Sequence, residues 1–261
     1  MATKQVQSVI RAFRIVEAFD HQRPALTSKE IAERVGLNDK TVHRFLLTLE
    51  EIGAVSRINH GRFCLGMALA DLGSQVRVHR ILNEAVLHHL ETLSARYNES
   101  IQAAVLEGTE IVSIAHIPSR HSLSTGIQEG KRWPAYCTAV GKALMADMVD
   151  SVLREYAGNL EYEQRTTSTI TNAAALIRQI KLVRQRGYAL NDQESEPGLR
   201  AIAVPVRNRQ GQTIAAISVS GPATRLSMEA LLAVRKDLDN CAEQIAQTLY
   251  GKKGEAEGMW D

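Results

Sequence analysis

Residues 26–52, which read LTSKEIAERVGLNDKTVHRFLLTLEEI, constrain the fold of this chain more than any other stretch. Thr27 and Glu30 form a T-x-x-E capping box, which predicts the start of a first helix. That helix should end at Gly36, because a left-handed position after a helix favours a residue without a Cβ. Asn38 is a good N-cap for a second helix. The stretch therefore predicts two short helices joined by a tight turn.

The second helix is predicted to be amphipathic. Its core face has apolar residues at intervals of three and four: Val42, Phe45, Leu46, Leu49 and Ile52. Its outer face carries side chains that can bond to phosphates or base edges: Lys40, Thr41, His43, Arg44 and Thr48. In helix-turn-helix proteins the second helix reads the major groove and the first crosses the DNA backbone, where Thr27 and Ser28 are candidate contacts. The alternative is an amphipathic helical hairpin whose polar face is only solvated.

The residues after this motif favour a winged helix. Segments 55–58 and 63–65 alternate like two strands around a turn that contains Gly61, which indicates a hairpin. Arg57 and Arg62 then lie where a wing would follow a phosphate backbone. Upstream, a third helix is predicted to complete the core through Val6, Val9, Ile10, Phe13 and Val16.

Length and charge suggest two domains. The chain has 261 residues, enough for two separate cores. Residues 1–80 carry 12 Lys+Arg and 8 Asp+Glu, a net charge of +4, whereas the rest is net −2. A basic first third suits a DNA-binding domain joined to a sensor, although a solvated basic face would have the same composition. The start MATKQVQS contains no apolar signal segment, and no apolar run is long enough to cross a membrane, so we expect a cytoplasmic protein without membrane contacts.

We predict an α+β fold with four parts. They are a winged helix-turn-helix domain (1–66), a linker helix (67–80), a second domain (81–250) and a disordered tail (251–261). The third part has β-rich runs at 101–106, 111–117, 188–190, 202–206 and 214–219, partly antiparallel, and helices at 138–148, 173–186 and 227–250.

Neither catalysis nor metal binding is indicated. The cysteines Cys64, Cys137 and Cys241 are odd in number and widely spaced, and adjacent histidines His88 and His89 lack a partner at i+4. A hydrolase could draw on Cys137, His116, His121 and Ser218, but no nucleophile elbow, P-loop, H-E-x-x-H or C-x-x-C motif unites them. We therefore expect no enzyme, metal or cofactor. A third alternative is an interaction module whose helix-turn-helix has lost DNA binding.

Four segments carry a resemblance to a known family. They read LTSKEIAERVGLNDKTVHRFLLTLEEIGAV, RFCLG, WPAYCTAVGKALMA and NDQESEPGLRAIAVPVRNRQGQTIAAISVSGP. Through them the chain resembles transcriptional regulators of the isocitrate lyase regulator (IclR) family over essentially its full length. The resemblance implies a GAF-like C-terminal domain that binds a small organic acid, double-stranded operator DNA as a partner, and homodimers that often pair into tetramers.

The resemblance also implies an effector pocket. Ser218 and Ser220 match the family's paired serines, alternate along a strand and so share one face, although the same pattern fits a solvated sheet face. Elsewhere this chain departs from the family pattern. Ala139 and Val140 replace a glycine-alanine pair, Asn191 followed by Asp192 replaces an acidic residue, and Ala201 replaces a cysteine. The remaining candidates are Thr125, Tyr136 and Cys137, with Trp133 nearby.

These departures bear on the class of effector. The substitutions and the aromatic residues favour an aromatic carboxylate or a ring-cleavage product over a two- or three-carbon acid. The segments PAYCT and RFLLTL also resemble the branch of the family that controls aromatic-acid breakdown through the β-ketoadipate route. The alternative is a small 2-oxo acid such as glyoxylate or pyruvate. The sign of regulation, the operator and the choice between dimer and tetramer stay open.

Overall fold

The computed structural model describes residues 6–20, 23–75, 78–122 and 125–251. The chain divides into two compact units, Met1–Arg77 and Val78–Asp261. Most of the tail predicted to be disordered, residues 252–261, lies outside the described residues. Within the described parts of the chain, none of the helices combines the length and apolar character that crossing a membrane requires.

The first unit is a winged helix. Its elements are α1 (Gln7–Glu17), β1 (Ala25–Thr27), α2 (Ser28–Val35), α3 (Asp39–Glu51), β2 (Val55–Ile58), a 3₁₀ turn (Asn59–Gly61), β3 (Arg62–Leu65) and α4 (Met67–Ser74). The strands form an antiparallel sheet in the order β1-β3-β2. The short strand β1 was not predicted, and it extends the wing hairpin to three strands.

Local sequence signals define α2 and α3. Thr27 caps α2 through a complete capping box with Glu30, and Gly36 ends that helix at φ 67°. The Asn38 side chain accepts a hydrogen bond from the Lys40 N–H at the start of α3. These bonds satisfy backbone donors that a helix leaves unpaired at its first turn.

The core of the first unit corrects the prediction for α1. Ile15, Ala18 and Phe19 are buried there, whereas Val6 and Phe13, predicted as core residues, are 63% and 66% exposed. Val9 is exposed as well. Ile52 at the end of α3 is also exposed, because the helix ends at Glu51 and Ile52 is its C-cap.

The linker helix predicted over 67–80 falls on two elements of the described residues. α4 ends at Ser74, and α5 (Val78–Tyr97) begins at Val78. Residues 76–77 between them lie outside the described part.

The second unit contains a six-stranded antiparallel sheet. Its strands are β4 (Ser100–Glu107), β5 (Glu110–Ile117), β6 (Arg132–Pro134), β7 (Ala189–Asp192), β8 (Leu199–Arg207) and β9 (Thr213–Pro222), in the order β6-β5-β4-β9-β8-β7. The further helices are α6 (Ala139–Leu144), α7 (Asp150–Gly158), α8 (Ala173–Arg186) and α9 (Met228–Tyr250). The α+β prediction is confirmed. β6 and α7 were not predicted, and α6 is shorter than the predicted helix over 138–148.

The two faces of this sheet belong to different cores. Ile101, Ile217 and their neighbours pack with α5 and α9, whereas Ala104 and Ala216 pack with α6, α7 and α8. Successive side chains of a strand point to opposite faces, so each strand contributes to both cores. The cavity described below lies on the second face.

Candidate functional site

The outer face of α3 presents the polar side chains that the sequence predicted. Lys40, His43, Arg44 and Thr48 are exposed, and Thr41 is half-buried. The Thr48 hydroxyl donates to the Arg44 carbonyl oxygen at 3.3 Å. A shallow groove beside this face is lined by Arg11, Thr41, Arg44, Phe45 and Thr48. The arrangement gives α3 a contiguous surface of hydrogen-bond donors.

The hydroxyls of Thr27 and Ser28 make hydrogen bonds within the protein. The Thr27 hydroxyl donates to Glu30 Oε2 at 2.9 Å and accepts from the Glu30 N–H at 3.3 Å. The same N-cap residue, through its N–H and hydroxyl, lowers the pKa of Glu30. The Ser28 hydroxyl donates to Asp39 Oδ1 at 2.5 Å, which joins the start of α2 to the start of α3. These two hydroxyls therefore stabilise the helix-turn-helix motif.

The two wing arginines make surface ion pairs. Arg57 Nη2 lies 3.1 Å from Glu50 Oε2, and its guanidinium stands 5.0 Å from the centre of the Phe63 ring. Arg62 Nη2 lies 3.9 Å from Glu30 Oε1, and Arg62 Nη1 donates to the Ala25 carbonyl oxygen at 3.3 Å. Exposed ion pairs contribute about 0–1 kcal/mol, so a phosphate group can compete for these guanidinium groups.

A small cavity, here called the effector cavity, lies in the second unit. It has about 30 Å³ of free space. Its walls come from the sheet, the start of α6, the segment 125–133 and the loop 193–198. Its lining comprises Gln102, Ile111, Thr125, Ile127, Trp133, Thr138, Ala139, Val140, Asn191, Ser195, Glu196, Leu199, Ala201, Ser218 and Ser220.

The sheet contributes a block of polar residues to this cavity. Ser218 on β9 pairs with Gln102 on β4, and Ser220 pairs with both Ser100 and Ala201. Directly opposite residues on neighbouring strands have Cβ atoms about 4.5–5.5 Å apart, so these groups are neighbours. Ser218 and Ser220 are almost completely buried, at 1% and 2% exposure. They therefore face the interior of the domain.

Several buried polar atoms of the lining lack a hydrogen-bond partner within the described residues. They are Gln102 Oε1, Thr125 Oγ1, Trp133 Nε1 and Ser218 Oγ. Buried polar groups in proteins are almost always paired, so a cluster of unpaired ones marks a place where another molecule supplies the partner. Three of the four can donate a hydrogen bond to an acceptor.

The structure brings together seven of the ten predicted pocket residues. Thr125, Ala139, Val140, Asn191, Ala201, Ser218 and Ser220 line the cavity. So does Trp133.

The other three predicted residues lie outside the lining. The Tyr136 hydroxyl donates to the Glu163 carbonyl oxygen at 2.8 Å and accepts from the Glu163 N–H at 2.9 Å. The Cys137 thiol donates to the Pro134 carbonyl oxygen, and burial raises its pKa to about 11. Asp192 accepts from Arg200 Nε at 2.7 Å.

A buried ion pair ties two walls of the cavity together. Lys142 on α6 bonds to Glu194 in the loop that also carries Ser195. Burial lowers the pKa of Lys142 and raises that of Glu194. Asn191 holds the same loop, because it donates to Ser195 Oγ at 2.7 Å and accepts from the Glu194 N–H at 2.8 Å.

Most of the polar side chains that line the cavity are neutral. Among its described lining residues Glu196 is the one ionisable group. Positive charge lies beside the wall, since Lys131 Nζ stands 4.6 Å and the Arg165 guanidinium 5.8 Å from the centre of the Trp133 ring. The nearby cations and the neutral donors favour an acceptor-rich ligand.

Seven lining residues were not predicted from the sequence: Gln102, Ile111, Ile127, Thr138, Ser195, Glu196 and Leu199. One of them carried a readable signal. Ser100 and Gln102 alternate as polar residues in the otherwise apolar run SIQAAVL, which places both on one face of β4.

A winged helix together with an α+β unit that contains a buried polar cavity is the arrangement expected of a ligand-responsive transcriptional regulator. Residues 8–58 match the IclR helix-turn-helix domain, and residues 74–247 match the C-terminal domain of bacterial IclR transcriptional regulators. The chain therefore belongs to the IclR family of DNA-binding transcriptional regulators. It is a regulator and not an enzyme.

Similar proteins span nearly the whole chain. The transcriptional regulator KdgR of Escherichia coli is 33% identical over 92% of this chain and 92% of its own length. The Pca regulon regulatory protein of Pseudomonas putida is 34% identical over 88% of this chain and 82% of its own.

Solved structures of IclR proteins are similar to this chain over nearly its whole length. Thermotoga maritima IclR has a TM-score of 0.61 at 27% identity and covers 95% of this chain and 100% of its own. An IclR homologue from Microbacterium hydrocarbonoxydans, complexed with 4-hydroxybenzoate, has a TM-score of 0.60 at 26% identity, over 93% of this chain and 98% of its own.

Proposed function

We propose that α3 reads operator DNA in the major groove and that a small organic acid, bound in the effector cavity, alters operator binding. The observation that carries the second part is the cluster of unpaired buried donors around Ser218. A carboxylate accepts several hydrogen bonds at once and would satisfy them. As a reader of chromosomal operators, the protein would act in the cytoplasm.

The DNA contacts follow from the outer face of α3. Arg44 is exposed and can form a bidentate pair with a guanine. Lys40, at the start of the helix, is a candidate phosphate contact, because its ammonium is a flexible point charge. Thr41, His43 and Thr48 complete the surface, and Arg57 and Arg62 would follow the backbone from the wing.

For the effector we favour an aromatic carboxylate or a ring-cleavage product. Trp133 lines the cavity and can stack on an aromatic ring. A relative that regulates a pca regulon and a homologous structure holding 4-hydroxybenzoate support the same class. Since about 30 Å³ holds only about two water molecules, an aromatic acid would have to widen the cavity.

The small free space favours a second candidate. A 2-oxo acid such as glyoxylate or pyruvate would need less widening, and its carboxylate would meet the same donors. Calorimetry with both classes of acid decides between them, and the tighter class is the effector class.

We also propose a homodimer, which can pair further into a dimer of dimers. Val6, the N-cap residue of α1, forms an exposed apolar stripe with Val9 and Phe13 on that helix, and Met67 and Leu72 on α4 are exposed as well. Apolar patches of this kind mark association surfaces. A dimer would present two copies of α3 to half-sites about one helical turn apart, or a multiple of it.

A mobility-shift assay tests the proposal as a whole. The protein is titrated against the DNA upstream of its own gene at fixed salt, with and without each acid. We expect a specific shift that an acid changes. A protein that shifts no DNA would be the interaction module considered above, and a shift that no acid changes would refute the effector site.

A further inference from the structure

Gln102 places an acceptor inside the effector cavity. Its side chain is 6% exposed, and its Oε1 atom has no hydrogen-bond partner among the described residues. A carbonyl oxygen only accepts hydrogen bonds. A ligand with acceptors alone, such as a plain carboxylate, offers this atom no hydrogen-bond donor.

The other unpaired groups of the cavity have the opposite requirement. The indole N–H of Trp133 can only donate, and the hydroxyls of Thr125 and Ser218 can do so too. Ser218 lies directly opposite Gln102 on the neighbouring strand. Donors and an acceptor thus stand close together, in a space lined by both.

We infer that the effector is a hydroxy acid, an inference that rests on the proposed function. Its carboxylate accepts hydrogen bonds from Ser218, Thr125 and Trp133, and its hydroxyl donates to Gln102 Oε1. A hydroxyl can both donate and accept hydrogen bonds. It can therefore pair with either the oxygen or the NH2 group of the Gln102 amide. The carboxylate of Glu196, which also lines the cavity, is a second acceptor for such a hydroxyl.

Matched pairs of acids test this inference. Calorimetry on the full-length protein compares benzoate with 2-, 3- and 4-hydroxybenzoate, and propionate and pyruvate with lactate. We expect a hydroxy acid to bind at least about tenfold more tightly than its counterpart without the hydroxyl, which corresponds to about 1.4 kcal/mol. An unpaired buried acceptor costs affinity of this order.

A variant tests whether Gln102 causes the preference for hydroxy acids. Gln102→Met keeps the side-chain length and removes the amide, so it should weaken only the hydroxylated acid and abolish the preference. Ser113→Ala is the matched control, because the Ser113 hydroxyl is also buried without a partner among the described residues yet does not line the cavity. This control should keep the preference.

The outcomes separate the inference from the proposed function. Equal affinities for both members of each pair, or pyruvate binding more tightly than lactate, would overturn the hydroxy-acid inference and leave the effector site standing. Gln102→Met that retains the preference would overturn the role of Gln102. Failure of every acid to bind the wild type would overturn the effector site itself. The wild-type comparison needs no variant, so it stands even if Gln102→Met folds poorly.

Discussion

Lys142 on α6 forms an ion pair with Glu194 in the loop before β8, and the Lys142 side chain is 1% exposed. Thr166 and Thr169 hold the same loop, since each donates its hydroxyl at 2.6 Å to a backbone carbonyl oxygen, of Gln193 and Glu194 respectively. The loop that carries Ser195 into the effector cavity is thus fixed to α6 by charge and to the segment before α8 by hydroxyls.

Removing the lysine alone should destabilise the second unit. Lys142→Met leaves the Glu194 carboxylate buried without its counter-ion, which lowers the free energy of unfolding by about 3–5 kcal/mol. The double variant Lys142→Met/Glu194→Gln removes both charges and should recover most of the loss. Scanning calorimetry measures both variants, and a single variant as stable as the wild type would mean that the pair is not needed.

Arg44→Ala should weaken specific operator binding by about 1–3 kcal/mol, because it removes the proposed guanine contact. Arg178→Ala is the matched control, since Arg178 is an exposed cation on α8 in the other unit. Mobility-shift titrations at one salt concentration compare the two variants. Equal losses of operator affinity in the two variants would show that only the positive charge of Arg44 contributes to binding.

Lys40→Ala should act on the salt dependence of binding. A phosphate contact releases counterions, so its removal should flatten the plot of log affinity against log salt by about one unit of slope. Titrations at several salt concentrations measure this slope. A variant with the wild-type slope would show that Lys40 touches no phosphate.

Replacing Ser218 and Ser220 together by alanine should lower effector affinity and leave operator binding without effector intact. Each lost hydroxyl contributes about 0.5–1.5 kcal/mol, and more where the partner is a carboxylate. Calorimetry with the tightest acid measures the loss, and Ser113→Ala serves again as the control. Equal heats for wild type and double variant would place the ligand elsewhere.

Phe13→Asp should break the proposed dimer, because it puts a charge in the apolar stripe of α1, where Phe13 is 66% exposed. Ile52→Asp changes a similarly exposed apolar residue, 62% exposed at the end of α3, and should leave the dimer intact. Light scattering at micromolar concentration reports the mass of each. A monomeric wild type would refute the assembly outright.

The elements with strong local signals were predictable from the sequence. The capping box of Thr27 and Glu30 and the left-handed Gly36 fix α2 through bonds within a few residues, so tertiary structure had little to change. The helix over 173–186 was predicted with its observed limits, Ala173–Arg186, and its N-cap Asn172 and C-cap Gly187 are local signals of the same kind.

The rest depended on packing that spacing does not reveal. An apolar stripe on α1 indicates that another surface covers it, but not whether that surface is the domain's own core. Phe13 was therefore wrongly assigned to the core. The direction of Tyr136 and Cys137 is set by a 3₁₀ turn, which has no regular face to predict from. For Gln102, the alternation with Ser100 was present, but the strand is buried on both faces, which hides the pattern.

β4 pairs with β9, so residue 102 lies opposite residue 218. The two units therefore complete their contacts at different stages of synthesis. The winged helix closes with contacts inside the first 77 residues. The wall of the cavity needs a strand that leaves the ribosome more than a hundred residues later. A growing chain, which folds from its N-terminal domain onward, thus completes the DNA-binding unit well before the unit that contains the cavity.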